Sequence, residues 1–338
     1  MAEPVLKVEN LKKYFPIKRG GFIESLKGAP QRFVHAVDGV SFEIYKQQVF
    51  ALVGESGCGK STTGKLIVKL LEPTDGKIYL EGRDVTDIKT KEEILAYRRK
   101  VQMIFQDPFS SMNPRFRIFD VLEEPPLLIH GIGETRAERE ELIYKALEMV
   151  KITPPPEDYV GRFPHMLSGG QRQRVAIARA LILNPTFIVA DEPVSMLDVS
   201  IRAEVLELMK ELKEKTGVTY LYITHDMSTA RYFADWMAVM YLGRIVEMGP
   251  AEKVIDNPLH PYTRALLAAV PEPKPERRNV IKELPIKGEV PSAVNIPPGC
   301  RFHPRCIYAQ KGLCDAKQPQ LIEYEHNHFA ECHLVGKY

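Results

Sequence analysis

The sequence predicts an α/β fold that carries a mostly helical insertion and ends in a small Pro-rich tail. Three observations predict it. From Val5 to about Phe105, short β-rich runs such as Val49-Phe50-Ala51-Leu52-Val53 alternate with helical patterns. A Gly-rich stretch, Gly54-Glu55-Ser56-Gly57-Cys58-Gly59-Lys60-Ser61, leads from that run straight into a helical pattern. A second apolar run, Phe187-Ile188-Val189-Ala190, reads as a buried strand and ends in the acidic pair Asp191-Glu192.

At 338 residues the chain fits one large domain plus an appendage and has no difficulty burying a core. Hydrophobic residues make up 44%, charged residues 27%, and the formal net charge is +2, the balance of an ordinary globular protein. Neither nucleic acid nor anionic lipid is called for. Met1-Ala2-Glu3-Pro4 lacks the basic flank and apolar run of a secretory signal, and no stretch approaches the roughly 20 apolar residues that span a bilayer. A cytoplasmic location is expected, with any membrane attachment made through other proteins. Disulfides are not expected in that compartment, so the four cysteines between Cys300 and Cys332 need another account.

Between about Asp107 and Leu167 the pattern turns mostly helical, as in Ala137 to Val150, broken by Pro125-Pro126 and Pro154-Pro155-Pro156. A helix follows Leu167, Tyr220-Leu221-Tyr222-Ile223 reads as a further buried strand, and two short strands flank Gly243-Arg244. After about Pro261 the composition shifts, and Pro271, Pro273, Pro275, Pro285, Pro291, Pro297 and Pro298 mark a linker into a cysteine-bearing tail. No internal repeat is visible. The charge runs Arg98-Arg99-Lys100 and Lys210-Glu211-Leu212-Lys213-Glu214-Lys215 read as solvated helix faces.

The chemistry begins at Gly54. A Gly-rich turn between a buried strand and a helix points several backbone N–H groups inward, where they and the helix N-terminus hold phosphates; side chains would block that approach. Lys60 is placed to reach the β- and γ-phosphates, and the Ser61 hydroxyl to ligate Mg²⁺. Cys58 reads as a small residue within the loop. Asp191, at the end of its strand, suits Mg²⁺ binding, and Glu192 suits a general base or water-orienting group beside the γ-phosphate. An acidic pair alone is also what a solvated strand end looks like; its company with Lys60-Ser61 is what makes it informative.

Leu167-Ser168-Gly169-Gly170-Gln171-Arg172-Gln173-Arg174 sets a hydroxyl and bare N–H groups at the start of the next helix, a second candidate anion site, although without its companion motifs Ser168 would read as an ordinary N-cap. With the Gly54 loop, this stretch resembles the signature of ATP-binding cassette (ABC) proteins. The resemblance implies a P-loop ABC ATPase core: a RecA-like sheet with an antiparallel β subdomain, an inserted helical subdomain at about 107–168 and a small Cys-bearing C-terminal extension. It also implies that the signature of one subunit closes over ATP held by the loop of another.

Residue by residue, the resemblance assigns Gly54, Glu55, Ser56, Gly57, Cys58, Gly59, Lys60, Ser61 and Thr62 to one nucleotide, and Ser168, Gly169, Gly170 and Gln171 to its neighbour. Gln106 resembles the glutamine that touches Mg²⁺ and water. Ser195-Met196-Leu197-Asp198 resembles the loop that communicates between the two sites, with Met196 where alanine is more usual and Asp198 in place. His225 resembles the switch histidine at the γ-phosphate. Tyr14, in Leu11-Lys12-Lys13-Tyr14-Phe15, is the residue chosen for stacking on adenine; Phe15 in that role, and Tyr14 as a core tyrosine, stay open.

Gly54 to Thr63, Gln106 to Pro114, His260-Pro261-Tyr262-Thr263-Arg264-Ala265-Leu266 and Gly299-Cys300-Arg301-Phe302-His303-Pro304-Arg305-Cys306 resemble the ATP-binding subunits of oligopeptide and dipeptide importers. The domains expected are 1–265 for the nucleotide-binding domain and 266–338 for the extension. The resemblance implies ATP hydrolysis driving peptide import, with a second ABC ATPase subunit as heterodimer partner, two transmembrane permease subunits and an extracytoplasmic solute-binding protein, at the cytoplasmic face of the membrane. Nickel, oligosaccharide or antibiotic-like peptide as cargo, and a soluble ABC ATPase of translation or repair, are the alternatives. Cys300, Cys306, Cys314 and Cys332, with five, seven and seventeen residues between neighbours, fit neither a paired zinc knuckle nor a disulfide framework. Four thiolates can hold an iron–sulfur cluster, and the resemblance supports [4Fe–4S]. Zinc on the same cysteines, with His303 or His333, and four unliganded buried thiols are the competing readings.

Overall fold

The computed structural model describes residues 3–17, 31–108, 111–153, 155–270 and 285–338. Phe109, Ser110, Pro154, Pro271, Pro273, Pro275 and most of the loop between Pro16 and Arg32 lie outside the described residues.

In chain order, strands β1 (Leu6–Pro16), β2 (Phe33–Ile44) and β3 (Val49–Val53) precede helix α1 (Lys60–Ile67), β4 (Asp75–Leu80) and β5 (Arg83–Asp84). Helix α2 (Lys91–Lys100), β6 (Val101–Ile104), α3 (Ile118–Glu123), α4 (Arg136–Met149), α5 (Pro156–Val160) and α6 (Gly169–Leu181) follow. Then come β7 (Phe187–Asp191), α7 (Val199–Thr216), β8 (Thr219–Thr224), α8 (Met227–Phe233), β9 (Trp236–Tyr241) and β10 (Arg244–Pro250). Helices α9 (Ala251–Asp256) and α10 (Pro261–Ala268) lead to the tail strands β11 (Ile322–Glu325) and β12 (His328–Ala330). Among the described residues no helix is long and apolar enough to cross a membrane.

The chain divides into two compact units. One comprises 1–5, 44–49 and 87–223. Its β6, β7 and β8 pair in parallel, with Ile104 opposite Ala190 and Asp191 opposite Ile223. β7 and β8 are buried at every position. Apolar runs with no polar alternation are what a parallel sheet covered on both faces demands. The 107–168 segment is mostly helical, and local chemistry sets its boundaries. Thr135 and Glu138 form a reciprocal capping box at the start of α4. The chain does not break at Pro125-Pro126; it passes them as a five-residue π-helical turn, Glu124–Leu128. The prolines have no N–H to donate, and the wider π turn takes up the two places where α-helical hydrogen bonds are lost. Gly217, at φ 73°, ends α7, whose last turn carries Lys213 and Lys215 where the helix dipole favours cations.

The other unit comprises 6–43, 50–86 and 224–338. One sheet runs β2-β1-β4-β5, with β4 antiparallel to β1 and to β5. In a second sheet β3 pairs in parallel with β9, β9 is antiparallel to β10, and the tail strand β12 adds antiparallel to β10, followed by β11. The tail is thus continued hydrogen bonding of the same sheet that launches the Gly-rich loop.

One buried carboxylate fastens that arrangement. Glu247 of β10 accepts the N–H of Leu259 at 2.7 Å, the N–H of His260 at 2.8 Å and the Nε2–H of His328 on β12 at 2.8 Å, with Glu247 and His328 both fully buried. His260 in turn caps α10, its Nδ1 accepting from the Tyr262 N–H at 3.0 Å. Glu247→Ala leaves two buried donors and the half-buried Leu259 N–H without an acceptor. At about 1–3 kcal/mol for each orphaned group, the expected loss is about 3 kcal/mol or more, read as a lower urea midpoint at unchanged m-value.

Candidate functional site

The loop after β3 keeps its shape by close backbone approach. At Gly54, φ 156°, a Cβ would lie 2.2 Å from the Met240 carbonyl oxygen. At Gly59, φ 111°, it would lie 2.1 Å from the Ala36 carbonyl oxygen. Only glycine fits both places. The Cys58 N–H closes onto the Glu55 carbonyl at 3.3 Å, and the Gly243 N–H donates to the Cys58 carbonyl at 2.9 Å. Cys58 is a buried small side chain whose thiol pKa is pushed up by burial. Ser56 and Gly57 are exposed at the loop's crest.

Lys60 is buried and folds back into the loop, its ammonium donating to the Gly54 carbonyl at 2.7 Å and the Glu55 carbonyl at 3.0 Å. Gly59 is the N-cap of α1, and no side chain caps that helix. The positive end of α1 is therefore presented together with a buried ammonium, which is the electrostatics of a polyanion site.

The start of α6 is built differently. Ser168 Oγ accepts the Gln171 N–H at 3.3 Å while Gln171 Oε1 accepts the Ser168 N–H at 3.0 Å, a complete capping box, and Gln171 Nε2 donates to the Tyr159 hydroxyl at 2.6 Å. The Ser168 hydroxyl, engaged as an acceptor, still carries a proton to donate, and the N–H groups of Gly169 and Gly170 lie outside the box. Gly170 has a packing reason as well: a Cβ there would meet Ile201 Cγ2 at 2.7 Å.

Strand register brings the remaining polar groups of this unit together. Ile104 lies opposite Ala190, so Gln106 and Glu192, each two residues further on, leave the sheet side by side. Gln106 Nε2 donates to Glu192 Oε2 at 3.1 Å. Glu192 sits at φ 47°, unusual for a residue with a side chain, held by its N–H to the Ile223 carbonyl at 2.8 Å and by Ser195 Oγ donating to its carbonyl at 3.0 Å. Asp191 is buried. Asp198 is exposed at the N-cap of α7 without bonding it, and the neighbouring Met196 and Val199 are 63% and 80% exposed.

His225 is exposed between two fixed residues. Thr224 Oγ1 accepts the Asp226 N–H at 3.0 Å, and Asp226 caps α8 through the Ser228 N–H at 2.8 Å. Tyr14 is half-buried with internal partners: its hydroxyl donates to Asp38 at 2.5 Å and its ring centroid lies 4.3 Å from that of His35. Burial, then the Asp38 carboxylate, pushes its phenol up to about 12.

The four tail cysteines require a correction. Among the described residues no group of three or more His, Cys, Asp or Glu side chains is arranged to hold a metal ion, which overturns the [4Fe–4S] site expected at Cys300, Cys306, Cys314 and Cys332 and the zinc alternative. Cys314 and Cys332 pack with Leu334 as a small apolar core, with Cys300, Ala309, Leu313 and Tyr338 against it. Cys332 Sγ accepts the Leu334 N–H at 3.4 Å and Cys314 Sγ the Gln310 N–H at 3.5 Å. His303 Nδ1 lies 2.9 Å from the Cys300 carbonyl and His333 Nε2 2.9 Å from the Lys317 carbonyl, so a ring nitrogen of each turns to backbone. Burial holds the Cys300 thiol up at about 12 and raises those of Cys306 and Cys332.

The residues expected at Mg²⁺ each carry a hard oxygen donor of their own, a hydroxyl on Ser61, a carboxylate on Asp191 and an amide oxygen on Gln106, and Gln106 donates to Glu192 through its nitrogen.

Sequence reasoning missed one set of functional contacts altogether. Arg305 of the tail pairs through two hydrogen bonds with Glu55 in the loop, and the Tyr262 hydroxyl accepts the Glu55 N–H. The stretches holding Tyr262 and Arg305 were visible as motifs, but the cysteines beside Arg305 drew the chemical reading.

A Gly-rich loop presenting an uncapped helix start and a buried lysine, with an acid pair at the end of a parallel strand, defines a P-loop nucleotide-hydrolysing protein. Residues 37–195 match the ABC transporter family model, and residues 246–314 match that of the oligopeptide/dipeptide transporter C-terminal region. The chain is 45% identical over 335 residues to the oligopeptide transport ATP-binding protein AppF of Bacillus subtilis, covering 99% of this chain and 98% of that one. It is 44% identical over 324 residues to the dipeptide transport ATP-binding protein DppF of Escherichia coli, covering 96% and 92%. A solved dimeric structure of the ATP-binding cassette MJ0796 in a post-hydrolysis state with ADP and Pi superimposes at a TM-score of 0.62 and 29% identity, over 73% of this chain and 98% of that one. The chain belongs to the ABC transporter family, as an ATP-hydrolysing protein of the oligopeptide/dipeptide type.

Gly59→Ala forces a side chain against the Ala36 carbonyl at a left-handed backbone position. The expected outcome is loss of nucleotide binding by calorimetric titration, with destabilisation of at least about 2 kcal/mol. For the tail, raised thiol pKa values mean neutral thiols throughout the physiological range. Iodoacetamide at pH 8 is expected to leave Cys300, Cys306 and Cys332 unlabelled in the native protein and to label them fully in denaturing urea, counted by mass spectrometry.

Proposed function

We propose that this chain is the ATP-hydrolysing subunit of a membrane importer and powers uptake of di- and oligopeptides by ATP-driven closure of a pair of such subunits. The observation that carries the hydrolytic reading is the Gln106–Glu192 hydrogen bond, which fixes a carboxylate at the end of a parallel strand at a strained backbone position. Strain held by surrounding hydrogen bonds is what a group kept for chemistry looks like.

The roles proposed are these. Backbone N–H groups from Gly54 to Thr62 and the start of α1 bind the phosphates, and Lys60 exchanges its loop carbonyls for phosphate oxygens. Ser61, Asp191 and Gln106 hold Mg²⁺, which neutralises phosphate charge when bound with ATP. Glu192 accepts a proton from the attacking water, and His225 holds the γ-phosphate. Tyr14 faces adenine. Ser168, Gly169, Gly170 and Gln171 close on the nucleotide of the partner subunit, and Asp198 belongs to the contact between the two sites. The dimeric cassette MJ0796 supports the pairing. A heterodimer with a related ATPase, two permease subunits, an extracytoplasmic solute-binding protein and a peripheral position at the cytoplasmic membrane face complete the reading. The printed names of the relatives AppF and DppF favour peptide as cargo.

Glu192→Gln is expected to bind Mg–ATP within a few-fold of the native protein and to lower turnover by about 100-fold or more, the size of a lost general base. Steady-state phosphate release and equilibrium nucleotide binding check this together. Native-like hydrolysis in the variant sinks the assignment.

A further inference from the structure

The phosphate loop does not stand alone in its unit. Arg305, 250 positions further along the chain, grips the Glu55 carboxylate with both terminal nitrogens, at 2.6 and 3.1 Å. Its side chain is 8% exposed and that of Glu55 31% exposed. The Arg305 backbone is itself fixed, its N–H donating to the Phe302 carbonyl and its carbonyl accepting the Lys287 N–H, each at 3.0 Å. The fully buried Tyr262 accepts the Glu55 N–H at 2.9 Å, and its ring packs against Tyr241 and the tail's Phe302 with centroids 4.7 and 5.4 Å apart. Glu55 is thereby held at main chain and side chain at once.

The loop's far side is braced as well. Arg301 donates to the Leu242 carbonyl and to the Asp38 carboxylate. The next residue, Gly243, donates its N–H to the Cys58 carbonyl at 2.9 Å, and Asp38 returns its own N–H to the Gly243 carbonyl at 2.8 Å. Two tail arginines thus reach both shoulders of the Gly54–Lys60 loop.

We propose that Arg305 is a positioning residue for nucleotide binding, through which the C-terminal tail holds the phosphate loop ready and neutralises the one acidic side chain within it. The proposal rests on the reading that this loop receives the ATP phosphates. Two physical effects support it. A Gly-rich loop left to itself must be ordered when the nucleotide arrives, and a loop already ordered binds more tightly. A bare carboxylate in a loop that receives a polyanion repels it, and a two-pronged guanidinium contact removes that charge. Tail and nucleotide are then linked reciprocally, so bound nucleotide strengthens the tail's hold.

The test uses the full-length protein and a fluorescent ATP analogue with Mg²⁺, titrated to equilibrium, with amide hydrogen exchange of the loop followed without nucleotide. Arg305→Ala is expected to weaken binding about tenfold, most of it from the uncompensated Glu55 carboxylate beside the phosphates, and to speed exchange between Glu55 and Lys60. Adding Glu55→Gln to Arg305→Ala removes the uncompensated charge and is expected to recover most of the affinity while exchange stays fast. Arg305→Lys keeps the charge but not the fork, and should fall between the two; it carries the test if Arg305→Ala does not fold. Native affinity and native loop exchange in Arg305→Ala, or in Arg305→Lys where it stands in, overturn the proposal. A double variant as weak as Arg305→Ala overturns the charge argument and leaves Arg305 as a general stabiliser. Lys60→Ala tests the underlying reading separately: retained nucleotide binding there refutes the loop as the phosphate site, whatever Arg305 does.

Discussion

The close approach of backbone to backbone at Gly54 and Gly59 is the constraint on which the nucleotide site depends. Those contacts, with the Met240 and Ala36 carbonyls, leave no room for side chains and give the loop little apolar surface of its own to bury. Its shape comes from what surrounds it: β3 feeding it, α1 leaving it, the Gly243 N–H on the Cys58 carbonyl, and Lys60 turned inward on the carbonyls of Gly54 and Glu55. Apart from the Cys58 N–H on the Glu55 carbonyl, the holding is done by neighbouring elements, the Tyr262 hydroxyl on the Glu55 N–H among them.

How much of this was legible in the sequence follows from how local each feature is. The strands at Val49, Phe187 and Tyr220 announce themselves because a strand covered on both faces must be apolar at every position. The Gly54 loop is legible because glycines, lysine and hydroxyl all fall within one turn of chain. Gln106 and Glu192 are different. They are 86 positions apart and meet only because two parallel strands are paired in one register; resemblance to a family supplied what residue pattern could not. The contacts of Arg301 and Arg305 left no trace in any local pattern, since an ion pair across 250 positions has no periodicity.

The cysteines show the opposite failure. Their number and a family resemblance invited a metal reading, but neither says where the sulfurs point. In the folded chain Cys314 and Cys332 join Leu334 in an apolar patch, and burial keeps Cys300 and Cys332 protonated. A tail this small has few large apolar side chains to gather, and cysteine is compact enough to fill the gap.

The pairing of β12 with β10 reaches beyond the nucleotide site. Without the tail, β10 would end its sheet as a long rim of unpaired peptide groups flanked by the apolar Ile245 and Val246, an open template for another chain. With the tail in place, the outermost strand is β11, only Ile322-Glu323-Tyr324-Glu325, exposed throughout and doubly acidic. A border of four residues, two of them carboxylates, is a poorer template for a second chain than the longer β10 behind it.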